Sequence, residues 1–589
     1  MRDFYRKFQW FIKYYKKNYI IGLVCLGLTY VLDILPPKIL GVTTDAIVSG
    51  QITAPVLTRN VLLILGIALA YYLTAFIWGL KLFQASDEID RLARLRLFKR
   101  VLRQGPIFFS KYSTGALMGK ATNDVEAISD LASYGIMAFF DASIYPAVIL
   151  AVMLSISWRI TLLSLLPYPF LVLFAKKIGQ KLYIYYDEAQ TAFDQLNESV
   201  LESVAGIRLV RAYNLEDQQI EKFQAKTQVL FDKNIRTARL SQLYRPMTTI
   251  IPTLAFVLAM GSGILEIRAG RLTTGALLSF SFYLNMLSWP MIAIGEFLIS
   301  AQQGSSAMDR IDEVLDTGLD VEDPENPLDY PQETSIQVSG LSFQYPLAEK
   351  DQYALQDISF DLGSGQSLGL VGPVGSGKTS LLRQFLHFYP LEEGKIYVGG
   401  HDLALIDRKQ LKAKLSYVPQ QSFLFSQSIR ENILLGANNA DLENGQAEKR
   451  LDEVLDIADL QKDLDQFVEG LDTETGEKGI ALSGGQKQRI SIARALMKDA
   501  DILILDDCLS AVDALTEDHI LTGLRRDRAG KSTLIAAHRL SAVKDCDLIL
   551  VLDQGRIVER GNHQDLLAAG KWYADQFNKQ QLAQEGPVA

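Results

Sequence analysis

The chain has 589 residues, too many for one ordinary core, since single cores rarely grow past roughly 300 residues. Hydrophobic residues make up 48% and charged ones 22%, with mean hydropathy +0.10, which excludes disordered and collagen-like classes. A net charge of −9 without a basic stripe excludes nucleic-acid binding, and three cysteines (Cys25, Cys508, Cys546) exclude a disulfide framework.

The charge is unevenly spread. Residues 1–320 carry 32 Lys and Arg against 26 Asp and Glu, whereas the remainder carries 27 against 42 and all five histidines. A histidine-free, slightly basic, apolar part joined to an acidic part reads as a membrane domain followed by a soluble one. In chain order, Phe4–Lys17 alternates aromatic and basic residues, which predicts an interfacial helix over 1–18 lying on anionic headgroups, with membrane lipids as its partner.

A bilayer core of roughly 30 Å needs about 20 apolar helical residues. Six windows within 19–308 meet this: Tyr19–Ile47, Val61–Phe83, Ile136–Trp158, Ile160–Ala175, Thr248–Ile267 and Ala276–Ala301, the fourth being the shortest. Basic residues concentrate in Phe83–Gly135 and Lys176–Arg245, which predicts a multi-pass protein with both termini cytoplasmic. Those segments are too long for turns, so the spans are expected to continue into the cytoplasm as long helices with short transverse turns. Acidic, proline-bearing residues 309–334 form a linker. From 335 to 580 the apolar runs become short and strand-like, and 581–589 is a tail. The expected fold is an α-helical six-span membrane domain plus an α/β nucleotide-binding domain.

Within the second part, Gly372-Pro-Val-Gly375-Ser376-Gly377-Lys378-Thr379-Ser380 follows the apolar run Leu368–Val371 and opens a helical pattern. Backbone N–H groups of such a loop cradle phosphates, Lys378 reaches the β and γ oxygens, and Thr379 can ligate Mg²⁺. Asp501–Asp507 is a buried strand pattern ending in two carboxylates, where Asp506 is expected to hold the metal and Asp507 to face the attacking water. Leu482-Ser483-Gly484-Gly485-Gln486 precedes the helix Ile490–Met497 and makes a second anion site at a helix start. One chain has its own phosphate loop, so a second anion site suggests a γ-phosphate presented from across a dimer.

These elements, with six preceding spans, resemble an ATP-binding cassette exporter half-transporter over essentially the whole chain. The resemblance implies a domain-swapped helical bundle, a P-loop nucleotide domain, and ATP and Mg²⁺ as cofactors. It implies base stacking for Tyr345, a link to Mg²⁺ and the membrane domain for Gln420, and a γ-phosphate contact for His538. Ser510-Ala-Val-Asp513 resembles the loop joining opposed sites, and Thr473–Gly479 the stretch that touches helix tips. Gly115–Asp124 and Arg211–Asp217 resemble those tips, the coupling helices.

One residue departs from the pattern. Fully active members carry glutamate where this chain has Asp507, one methylene shorter, so the carboxylate retreats by roughly 1–1.5 Å. In a homodimer both sites would be impaired. In a heterodimer Asp507 would sit in a slow site while Ser483–Gln486 completes a fast site against a partner bearing the catalytic glutamate. The chain therefore resembles one subunit of bacterial heterodimeric multidrug exporters, in the plasma membrane. In the spans, Asp33, Asp141 and Glu296 accompany Trp289 and Tyr283, and Asp141, Glu296, Trp289 and Tyr283 are the expected wall of a cavity for hydrophobic or cationic small molecules. A lipid or peptide exporter, or a nucleotide-gated channel or sensor, is the alternative.

Overall fold

The computed structural model describes residues 15–585 apart from 350, 439–441, 443, 444, 468, 477, 478, 480 and 481. Most of the interfacial segment expected over 1–18 thus lies outside the described residues. The chain forms two compact units: one runs to Arg100 and resumes over Gly115–Thr317, and the other takes Val101–Thr114 and Gly318 onward.

The first unit is all helix. Its long elements are Lys16–Val48, Ala54–Val101, Thr114–Ile156, Tyr168–Ala205, Glu216–Ser241, Tyr244–Arg268 and Thr274–Asp316, the last with a turn at Leu287. Among the described residues, five helices are long and apolar enough to cross a membrane. The fourth expected window is not one of them: it is broken into Trp158–Leu165 and a second helix from Tyr168, around Pro167 and Pro169. Leu26, Tyr30, Ile149, Met153, Ala255, Ala259 and Phe280 pack one cluster, while Leu62, Leu65, Leu69 and Phe76 stay exposed on a face suited to lipid.

The transverse turns differ from expectation in one place. Between Ala54–Val101 and Thr114–Ile156 the short helix is Pro106–Lys111, not Gly115–Asp124. The cause is Gly105-Pro106: proline disfavours helix at the residue before it and suits the first helical position. Gly115 and Gly119 sit inside the following helix, which absorbs a π turn at Lys120–Asp124. The second short helix, Ile207–Ala212, overlaps the start of the expected Arg211–Asp217. The final helix runs to Asp316, well into the expected linker, because Ala307, Met308, Ile311 and Val314 recur at helical spacing and are buried.

The second unit is α/β. Strands β1 (Ile336–Phe343), β2 (Leu355–Leu362), β4 (Ile396–Val398) and β5 (His401–Asp402) form an antiparallel sheet in the order β2-β1-β4-β5. A second sheet runs β10-β9-β3-β8-β7-β6, with β3 (Ser367–Val371), β6 (Leu415–Val418), β7 (Ile502–Asp506), β8 (Ser532–Ala536) and β9 (Leu548–Asp553) parallel and β10 (Arg556–Gly561) antiparallel at the edge. Every residue of β7 and β8 is buried, as strands covered on both faces require. The tail helix Trp572–Glu585 crosses the expected boundary at 580.

This core contains a pH-sensitive group. His387 is buried at the end of the helix Lys378–Phe385, and burial, then the charges of Arg408 and Lys412, hold its pKa down to about 4 against the pull of Asp402. The unfolded chain takes up this proton near pH 6.5 and the folded chain only near 4, so stability is lost as pH falls through that window. The slope is expected to approach about 1.4 kcal/mol per pH unit. His387 has φ +50, which asparagine also tolerates, so His387→Asn should flatten the pH dependence of urea unfolding between pH 7 and 4.

Candidate functional site

Four neighbouring strands deliver their carboxyl ends to one place, where open α/β sheets bind ligands. β3 ends in the glycine loop, β7 in Asp506, β8 two residues before His538, and β6 two residues before Gln420. The loop needs glycine for space and for backbone: at Gly372 a Cβ would lie 2.0 Å from Leu552 O, and Gly377 has φ +104 where the helix begins. Lys378 is buried, with Nζ donating to Gly372 O and Pro373 O, each at 2.9 Å. Burial pushes its pKa down, against the charges of Asp507 and Asp506.

Asp506 is 1% exposed. It accepts from Thr379 Oγ1 at 2.8 Å and from the Tyr417 hydroxyl at 3.3 Å. Burial raises its pKa while both hydrogen bonds oppose the rise. A desolvated carboxylate beside a threonine hydroxyl is an oxygen donor set that fits Mg²⁺. Asp507 leaves the strand with φ +47, its N–H donates to Ala536 O at 2.8 Å, and its Oδ2 accepts from Gln420 Nε2 at 3.2 Å.

Asp506, Asp507 and Gln420 line a cleft of about 450 Å³ together with Tyr345, Gly375, Ser376, Gly377, Lys378, Thr379, Ser380 and His538. The Tyr345 hydroxyl lies 2.9 Å from Ser380 Oγ, and its ring packs edge-on against Phe343 and Tyr389. Tyr417 was not legible as a site residue, although its place on β6, three residues before Gln420, is a usable signal.

Ser483, Gly484, Gly485 and Gln486 do not line this cleft. Ser483 caps the helix Gly484–Met497, with Gln486 returning a hydrogen bond to the cap. Ser483 and Gly484 are exposed at the helix start, where the dipole favours an anion. Gly485 is required by close approach, since a Cβ would lie 2.9 Å from Ala511 O. Ala511 N donates to Gln488 Oε1, and Ser510 Oγ to Asp507 O, so the loop after Asp507 is tied to this helix. Asp513 caps the next helix, Ala514–Asp527. The stretch Thr473–Gly479 includes two residues outside the described set; within it Thr475 is buried and donates to Phe425 O at 2.8 Å.

In the helical unit, Asp141 and Trp289 line a cavity of about 560 Å³ and are hydrogen-bonded to each other. Tyr283 and Glu296 do not line it. Tyr283 is fully buried, and its hydroxyl donates to Ile34 O at 2.8 Å; Glu296 is half-buried further along its helix. Asp33, Tyr30 and Tyr71 are among the residues that do. Tyr30 could have been found from its spacing of three residues before Asp33.

A phosphate-loop sheet with its ligand cleft, in one chain with apolar helices of membrane-crossing length, defines the ATP-driven class of membrane transporters. The family description "ABC transporter transmembrane region" matches residues 19–291 and "ABC transporter" matches 355–510. The chain is 40% identical over 584 residues to the probable multidrug resistance ABC transporter ATP-binding/permease protein YheI of Bacillus subtilis, covering 99% of this chain and 98% of that one. It is 36% identical over 579 residues to the multidrug resistance-like ATP-binding protein MdlA of Escherichia coli, covering 98% and 97%. A solved structure of a bacterial Atm1-family ABC exporter with ATP bound superposes with TM-score 0.79 and 25% identity, covering 96% of this chain and 98% of that chain. The chain belongs to the ABC transporter family, as an exporter half-transporter. It is a multi-pass membrane protein whose nucleotide domain binds ATP, and membership implies ATP hydrolysis coupled to transport.

Proposed function

We propose that this chain is one half of a heterodimeric ATP-driven exporter that moves amphipathic drugs or lipid-like compounds out of the cytoplasm or inner leaflet. The observation that carries the reading is Asp507 in a place where family members use glutamate, beside a fully formed Ser483 cap and helix start. The chain's own cleft would be the slow site. Its Ser483–Gln486 segment would complete a fast site on a homologous half that bears the glutamate. Both multidrug names among the relatives favour drug-like cargo.

In this reading Tyr345 stacks the base, the 372–380 loop and Lys378 hold the phosphates, and His538 meets the γ-phosphate. Asp507 and Gln420 orient the attacking water. Thr379, Asp506 and Gln420 would hold Mg²⁺, which when bound neutralises charge on the phosphate oxygens. Ser510 and Asp513 carry the state of one site toward the other. Both termini and the nucleotide domain are cytoplasmic, in a bacterial plasma membrane.

The test is reconstitution with a glutamate-bearing homologous half in liposomes. ATP-dependent accumulation of a fluorescent drug against its gradient, absent for either half alone, is the expected result. Dissipation of a gradient without accumulation would identify a channel instead. Equal pumping by this chain alone would end the heterodimer reading.

A further inference from the structure

The cavity among the membrane helices is built on a ladder of polar contacts rather than on scattered groups. The Tyr30 hydroxyl donates to Asp141 Oδ1 and Trp289 Nε1 donates to Asp141 Oδ2 at 2.9 Å, so both oxygens of this carboxylate, 7% exposed, are engaged. The Tyr145 hydroxyl donates to Asp33 Oδ2. The rings of Tyr30 and Tyr145 stack at 4.7 Å with 28° between their planes, which joins the two pairs into one wall. Trp78 closes another side. Asp33 Oδ1 has no hydrogen-bond partner among the described residues, and Asp33 is half-buried rather than sealed.

Neither carboxylate has a basic partner among the described residues. The ion pairs of this unit lie elsewhere, for instance at Arg159–Glu266 and Arg310–Asp124. Two carboxylates without a counter-charge inside a membrane bundle favour a cation, because an uncompensated intramembrane charge is costly. Aromatic walls and about 560 Å³ of space select an organic cation of drug size over an inorganic one. The two acids cannot serve alike. Asp141 is already satisfied by two donors and acts to hold the Tyr30 and Trp289 walls in place. Asp33 retains an oxygen facing no donor.

We propose that this cavity binds aromatic organic cations, with Asp33 as the residue that pairs with the cationic nitrogen and the Tyr30–Tyr145 stack and Trp78 as the aromatic surfaces it lies against. This deepens the exporter reading and rests on it for the cargo's fate, but the site itself is read without ATP.

The full-length chain in phosphatidylcholine nanodiscs is titrated with ethidium, a permanent aromatic cation, and separately with Nile red, a neutral dye of similar size. Saturable ethidium binding is expected, weakened about tenfold or more by Asp33→Asn while Nile red is unchanged. Asp33→Glu, which keeps the charge, is expected to hold ethidium within about threefold. Asp141→Asn is expected to weaken both dyes, because it loosens the walls. Absence of saturable ethidium binding by the wild type overturns the proposal, as does Asp33→Asn binding ethidium normally. Loss of ethidium in Asp33→Glu at an unchanged thermal midpoint also overturns it. Intact, Asp33-dependent ethidium binding with no ATP-driven accumulation by the reconstituted pair of halves would sink the exporter reading and leave this site standing.

Discussion

Asp507→Glu is expected to raise ATP turnover of the purified chain in nanodiscs by about a hundredfold or more. The argument is one of reach. The Asp507 backbone is fixed by its N–H bond to Ala536 O at 2.8 Å, at the end of a strand whose every residue is buried, so the backbone cannot advance to compensate for a short side chain. Its Oδ2 meets Gln420 Nε2 at 3.2 Å, which ties the carboxylate to the neighbouring strand end. One added methylene moves a carboxylate by roughly 1–1.5 Å, a misplacement worth about 10²-fold in rate, and a positioned general base contributes about 10²–10⁴-fold. The gain should come with a small loss of stability. Asp507 has φ +47, a left-handed conformation that aspartate tolerates better than glutamate, so the variant should lose up to about 1 kcal/mol. A coupled ATPase assay decides the first point and urea unfolding the second. Robust wild-type turnover would show that aspartate is a competent base here and would remove the main support for a glutamate-bearing partner.

The parts of the site legible in the sequence were those whose chemistry is local. Lys378, Thr379 and the glycines form one continuous loop, and Asp506 ends a strand that announces itself by the four consecutive apolar residues Ile502–Leu505 after Asp501. Tyr345, Gln420 and His538 carry no local signature and came from family resemblance; the cleft collects Gln420 and His538 because β6, β7 and β8 end side by side, while Tyr345 comes from two residues past β1 in the other sheet. Tyr417 on Asp506, and Tyr30 on Asp141, pair residues 89 and 111 positions apart, and nothing in a linear pattern specifies such a contact. The misplaced transverse turn has a similar cause. Gly115 and Gly119 look like turn residues in sequence, yet both sit in helix with nothing within 4 Å of a Cβ position, whereas Gly105-Pro106 carries the actual break. The same ambiguity hid Tyr283, an aromatic in a span that reads equally as cavity wall or as packing.

Tyr283 belongs to the packing, and that packing makes the last prediction. The helices Lys16–Val48 and Thr274–Met286 run against each other through a series of close contacts. Asp45 accepts from Thr273 Oγ1 at 2.6 Å and from Gly275 N at 2.7 Å, Ser279 Oγ donates to Pro37 O at 2.8 Å, and the Tyr283 hydroxyl donates to Ile34 O. Pro36 and Pro37 leave Leu32 O and Asp33 O without ladder donors, so the bonds to Ile34 O and Pro37 O are added ties between the two helices rather than replacements for missing N–H groups. The approach is possible only because glycine faces glycine: a Cβ on Gly275 would lie 1.9 Å from Gly41 O, a backbone atom that cannot swing aside. Gly275→Ala should therefore force the helices apart and loosen the contacts at Asp45, Pro37 and Ile34 together. The expected cost is about 3 kcal/mol, the upper end for overpacking, or a fall of roughly 5–10 °C in the thermal midpoint followed by tryptophan fluorescence. Gly27→Ala on the same helix, where nothing lies within 4 Å of the new methyl, should be within about 1 °C of wild type. Equal midpoints for the two variants would mean that the crossing at Gly41 and Gly275 is not the contact that holds these helices.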